Sequence, residues 1–115
     1  MPVRVSIVHT DGRRQHVVTV TGDFDMSMAG LVRQRLGAHL EADEVVLDLS
    51  QVTFIDSTGL GVIAQANRVL NSGEVKRLRV IGKQPPVLTV FEAAGLADLL
   101  EPDRRRAPRD LDSGH

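Results

Sequence analysis

Phe54-Ile55-Asp56-Ser57-Thr58-Gly59-Leu60-Gly61 decides how the rest of this chain is read. Before it, residues 44–49 form a near-continuous apolar run broken by Asp48, and residues 52–55 extend that run. An apolar run of this kind reads as a central strand. After it, Val62, Ile63, Ala66, Val69 and Leu70 recur at helical spacing, which predicts a helix over about 58–71. The hydroxyl pair Ser57-Thr58 therefore falls where a strand hands over to a helix. The first N–H groups of a helix lack internal partners, and the helix dipole makes that end partly positive. A phosphate is comfortable there. Gly59 and Gly61 carry no side chain to shield the spot. The corner offers a hydroxyl and room for a large molecule to approach it.

Working outward, Val3, Val5 and Ile7 alternate with Arg4 and Ser6, as in a half-buried strand. Asp11-Gly12 is a turn signal, and residues 16–21 read as a second strand, so residues 3–21 form a hairpin. Residues 22–25 read as a polar turn, with Ser27 capping the next helix. In that helix Met28, Leu31, Val32, Leu36 and Leu40 define a buried face. Gly30 and Gly37 weaken it by about 1 kcal/mol each relative to Ala. On the second helix, Gly61, Gln65, Arg68 and Ser72 share the side opposite the apolar stripe. Asn71-Ser72-Gly73 ends it. Residues 78–82 read as another strand. Pro85-Pro86 opens a third helix, whose apolar face is Val87, Val90, Phe91 and Ala94 and which Gly95 closes.

After Leu100 the composition changes to Arg104-Arg105-Arg106, two prolines and few apolar residues. The domain is therefore placed at 1–100 and a flexible tail at 101–115. The element order is strand, strand, helix, strand, helix, strand, helix. It predicts one α/β domain whose mixed sheet has an N-terminal antiparallel hairpin, a mostly parallel core and helices packed against it.

Composition narrows the function. A chain of 115 residues makes one modest domain, and with three Phe and no Tyr or Trp its core must be aliphatic. The 14 basic and 15 acidic residues nearly cancel, so no basic field attracts nucleic acid or anionic lipid. The lack of Cys excludes disulfides, thiolate metal sites and cysteine nucleophiles, and it fits a cytoplasmic location. No signal-peptide core opens the sequence, and no run nears the ~20 apolar residues that cross a bilayer. His9, His16, His39 and His115 show no paired metal-ligand spacing, so no metal site is expected.

Enzymatic readings fit poorly. Gly59-Leu60-Gly61-Val62-Ile63-Ala64 has the form of a dinucleotide fingerprint. The acidic residue due about 20 positions later is missing, because the strand at 78–81 leads to Gly82-Lys83. The fingerprint also normally opens the first βαβ unit, whereas here at least two strands come first. A serine-hydrolase elbow needs glycine where Ile55 stands. Asp25 and Asp56 have no paired-carboxylate spacing. No catalytic residue and no cofactor are predicted. Ser57 has a plain structural reading as the helix N-cap, with Thr58 filling the first turn and Asp56 easing the dipole.

Asp56-Ser57-Thr58-Gly59-Leu60-Gly61 resembles the signature of STAS domains, specifically bacterial anti-sigma factor antagonists. Gly22-Asp23-Phe24-Asp25 is similar to the family's Gly-Glu-Leu-Asp turn, and Val46-Leu47-Asp48-Leu49-Ser50 to its central strand. Pro86-Val87 through Phe91 and Gly95-Leu96 are similar to its last helix. The resemblance implies a phosphorylation-switched binding module and not an enzyme. The unmodified form would bind an anti-sigma factor that is also a GHKL-type serine kinase and so release the sigma factor. Phosphorylation of Ser57, with Thr58 as a minor site, would end binding, and a PP2C-type phosphatase would restore it. The implied partner surface is Asp23, Asp25, Asp56, Ser57, Thr58, Gly59, Leu60 and Gly61, continued by Gln65 and Arg68. Asp23 stands where the family usually has Glu, and Met26-Ser27-Met28 departs from its commoner filling. The expected state is a monomer or weak homodimer. The alternative is a STAS regulatory subunit of a transporter or lipid-transport ATPase complex.

Overall fold

A computed structural model describes residues 2–37, 42–72 and 77–101. Strands β1 (Val3–Thr10) and β2 (Arg13–Phe24) form the antiparallel hairpin. Asp11 and Gly12 between them have φ of 54° and 78°. Positive φ at both central positions gives the turn whose twist matches the flanking strands. The chain continues through α1 (Met26–Gly37), β3 (Glu44–Ile55), α2 (Ser57–Leu70), β4 (Leu78–Ile81) and α3 (Pro85–Ala93). A 3-10 turn (Ala97–Leu99) then leads to β5 (Leu100–Glu101).

The sheet order is β1-β2-β3-β4-β5, with β2 to β5 parallel. Every helical crossover steps to the next strand in the same direction. Right-handed crossovers of that kind put all three helices on one face. The core lies on that face, where Val18, Leu47 and Val80 of the sheet pack with Val32, Ile63 and Phe91 of the helices. On the other face Val17, Val46 and Ile81 form a small buried cluster. Polar side chains border it. Glu44 accepts a hydrogen bond from Gln15 and pairs with Arg79 at 3.8 Å, and Arg79 reaches Glu101 at 3.2 Å.

Where the two strands pair, Gln15–Phe24 of β2 faces Glu44–Ile55 of β3, and β3 takes up its extra residues in two register shifts, opposite Thr19/Thr21 and Gly22/Asp23. At the first, the Asp48 carboxylate accepts the Ser50 N–H at 2.9 Å, satisfying an amide the bulge frees. The shifts change the inward spacing from two to three, so Leu49, Val52 and Ile55 all face the core. Phe54 is left 49% exposed.

Three expectations need correction. Residues 22–24 are strand and not turn, because β3 runs on to Ile55 and keeps Asp23 and Phe24 paired with Phe54 and Ile55. Gly22, at φ 89°, permits the bend without ending the strand. Val69 is not in the buried stripe and is 50% exposed. It lines an open groove between α1 and α2, beside Arg33 and Gly37. Leu100-Glu101 forms a fifth strand, paired with β4, that the expected element order did not include. The rest of the expected tail, Leu40 and Gly73 lie outside the described residues.

Candidate functional site

Two strand-to-helix turns stand side by side at one end of the sheet. β2 and β3 end level, with Phe24 paired to Ile55. Each strand is followed by one Asp and then a helix. The Asp56 N–H donates to the Phe24 carbonyl at 3.3 Å, tying the two turns together.

Each Asp serves its helix. The Asp56 backbone is extended, and its Oδ1 accepts the Gly59 N–H at 2.9 Å. Its carbonyl takes the Leu60 N–H at 3.0 Å. Asp25 accepts the Ser27 N–H at 3.0 Å and the Ser27 hydroxyl at 2.6 Å, while its carbonyl takes the N–H groups of Met28 and Ala29. The cap residues are therefore Asp25 and Asp56, in place of the expected Ser27 and Ser57. A carboxylate caps as well as a hydroxyl does and also suits the positive helix end. Because Asp56 does this work, Ser57 becomes the first helical residue, exposed to solvent and relieved of capping.

The Ser27 hydroxyl bond holds the Asp25 carboxyl below the usual Asp value of 3.8, against an opposing desolvation and with help from backbone N–H bonds. A lowered native pKa means these bonds stabilise the fold above the ordinary Asp value and are lost as pH falls through the native one. In a carbon-detected NMR titration, Asp25 is expected to titrate below 3.8 in the native protein and to move back toward 3.8 in Ser27→Ala. An unchanged midpoint in that variant would remove the hydroxyl as the cause.

The structure brings most of the expected surface together. Asp23 and Ser57 are exposed, while Asp25, Asp56 and Thr58 are half-buried at the same rim. Gly61 is open, and a Cβ added there would meet nothing within 4 Å. Gly59 differs: it is buried, and its Cβ would stand 2.4 Å from the Phe24 carbonyl oxygen. Its role is close packing of α2 on β2, and it offers a partner no surface. Leu60 is half-buried against the core. Gln65 is exposed midway along α2. Arg68 is exposed too, but eleven residues of helix put it about 16 Å from Ser57.

Sequence reasoning missed two apolar residues at this rim. Met26 opens α1 and is 74% exposed, and Phe54 is the exposed aromatic two residues before the Asp56 cap. An apolar residue directly after a capping Asp was the available signal for Met26. For Phe54 there was none, because the register shifts that turn it outward are not visible in its spacing.

With the fold and the corner described, comparison with known proteins places the chain. The profile of the family described as "Mlab, STAS domain" matches residues 8–101. The chain belongs to the STAS domain family. An anti-sigma-B factor antagonist of Listeria monocytogenes is 30% identical to this STAS domain over 102 residues, 86% of this chain and 89% of the relative. An anti-sigma F factor antagonist of Paenibacillus polymyxa is 28% identical over 89 residues, covering 73% of this chain and 74% of the relative. Among solved structures, an anti-sigma factor antagonist from Mycobacterium paratuberculosis superposes with TM-score 0.75 at 27% identity, over 96% of this chain and 94% of the other. Unphosphorylated SpoIIAA superposes with TM-score 0.72 over 97% and 98%, and at 18% identity it shares the fold. These agree with the five-stranded mixed sheet and three helices of this STAS domain. No helix among the described residues is long and apolar enough to cross a membrane. Nor do the described residues hold a group of three or more His, Cys, Asp or Glu fit for a metal ion.

Proposed function

We propose that this STAS domain is an anti-sigma factor antagonist whose binding is switched off by phosphorylation of Ser57. The observation that carries the reading is the division of labour at the corner: Asp56 caps α2, and Ser57 is left exposed at its first position. The Ser57 hydroxyl can thus be reached by a kinase without dismantling the helix end. The relatives named as antagonists supply the class of partner. The unmodified corner docks on an anti-sigma factor that is a GHKL-type serine kinase, and the sigma factor is released. The kinase transfers phosphate from ATP to Ser57, and the complex dissociates. A PP2C-type phosphatase removes the phosphate. The domain acts in the cytoplasm, contributes contacts and supplies no catalytic group. The contact surface is Asp23, Asp25, Ser57, Thr58 and Gly61, extended along α2 by Gln65.

The test is incubation with candidate GHKL-type kinases and ATP, followed by peptide mass mapping. One phosphate per chain, located on Ser57, is the expected result. If phosphate lands elsewhere or nowhere, and affinity capture returns a subunit of a transport ATPase, the domain is instead a regulatory subunit of such a complex.

A further inference from the structure

Met26 holds in α1 the place that Ser57 holds in α2. Each is the first helical residue after a capping Asp, on helices that follow level, paired ends of β2 and β3. α1 and α2 pack against each other. Neighbouring packed helices run about 10 Å apart between axes, so the first turns of α1 and α2 present neighbouring parts of one surface. At 74% exposure Met26 is the most exposed of the large apolar residues described. Phe54, 49% exposed, is the cross-strand partner of Asp23, on the other side of the same rim. A long apolar side chain held in water on a rigid first turn gains free energy when covered. Aromatic residues and methionine are enriched where proteins meet.

The rim also has one sign of charge. Asp23, Asp25 and Asp56 lie on it, while the sequence has no Lys or Arg between Arg14 and Arg33 or between Arg35 and Arg68. Lys83 follows β4, whose pairing with β3 stops at Asp48, well short of the Ile55 end. We infer that Met26 and Phe54 are the apolar anchors of partner recognition, fitting a recess on the anti-sigma factor that is edged by Arg or Lys. The anchors enter the recess, and the cations meet the carboxylates around it. Ser57 lies at the same end of the sheet, at the first position of α2, where docking can cover a hydroxyl and cannot cover a phosphate. This rests on the antagonist reading above and adds the residues that select the partner.

The experiment measures calorimetric affinity of the full chain for the GHKL-type anti-sigma factor that modifies Ser57. Met26→Ser and Phe54→Ser are each expected to weaken binding by about tenfold or more. Met26→Leu, which keeps the apolar reach, should remain within about twofold of wild type. Met26→Ser should melt as the wild type does, because the side chain removed is largely in solvent, while Phe54→Ser should remain folded but melt lower, because half of that side chain is covered. Affinity of the wild type should fall as salt rises. If both serine variants bind at full strength while Ser57→Asp does not, the anchor assignment is overturned and the antagonist reading stands. If no anti-sigma factor binds the wild type at all, that reading fails and the anchors fail with it. A wild-type dimer in sedimentation that Met26→Ser dissolves would also overturn the assignment, because the pair would then cover a second copy of this chain.

Discussion

Under the proposed switch, Ser57→Asp is expected to weaken anti-sigma factor binding by about a hundredfold, and Ser57→Ala to bind at wild-type strength and stay bound in the presence of kinase and ATP. The size follows from dehydration. Docking must strip water from whatever occupies the corner, and burying an unpaired charge costs several kcal/mol even after relaxation. A hundredfold loss corresponds to about 2.7 kcal/mol. Phosphate, at about −1.5 to −2 charges, is more costly than one carboxylate, and it arrives beside Asp56 on a rim that already carries Asp23 and Asp25. Ser57→Ala separates the switch from the fold. Because the Asp56 carboxylate caps α2, removing the Ser57 hydroxyl should leave stability within about 0.5 kcal/mol of wild type. Calorimetry of both variants, before and after kinase treatment, reads the result. Equal affinity for the two would remove Ser57 as the switch.

Gly59→Ala is the second large effect, and it falls on stability. Its Cβ would stand 2.4 Å from the Phe24 carbonyl oxygen, 3.0 Å from Phe24 Cδ1 and 3.1 Å from Ile55 Cγ1. The oxygen belongs to backbone and already accepts the Asp56 N–H, so it cannot move without opening the junction. Overpacking of this kind costs about 3 kcal/mol. For comparison, Asp56→Ala should cost about 1 kcal/mol, the worth of one cap. Two residues further on, Gly61→Ala meets nothing within 4 Å and should raise stability by about 0.5–1 kcal/mol, as alanine does inside a helix. Denaturant unfolding of the three variants checks the order. A Gly59→Ala protein within about 1 kcal/mol of wild type would show that α2 can slide off β2 after all. The pair also separates two uses of glycine in one motif. Gly59 permits contact between elements, and Gly61 leaves the surface low for a visitor.

Much of this was legible in order and spacing. The Asp11-Gly12 turn, the apolar run of β3, the proline-opened α3 and the glycine stop at Gly95 are local signals, and each survives into the structure. Gly95 has φ 75°, and the Leu96 N–H returns to the Phe91 carbonyl at 2.8 Å, as a glycine helix stop requires. Ser57 could be singled out because a strand pattern meets a helix pattern beside it. The capping residue was assigned two places late at α1 and one place late at α2, since Asp, Ser and Thr are near-equal caps and only the observed hydrogen bonds tell them apart. Val69 fits the helical period and is nonetheless exposed, because it lies on the open groove between α1 and α2 and periodicity does not say which part of a stripe a neighbouring helix covers.

The amino-acid sequence by itself determined the family, the order of strands and helices, and the hydroxyl at the junction, since these depend on residues close together along the chain. Tertiary structure alone decided the rest. The level ends of β2 and β3 set Met26 and Ser57 in equivalent places on neighbouring helices, two register shifts turned Phe54 outward, and Phe24 made Gly59 obligatory. Those relations join residues about thirty positions apart, and they come into being when parallel strands align their backbones.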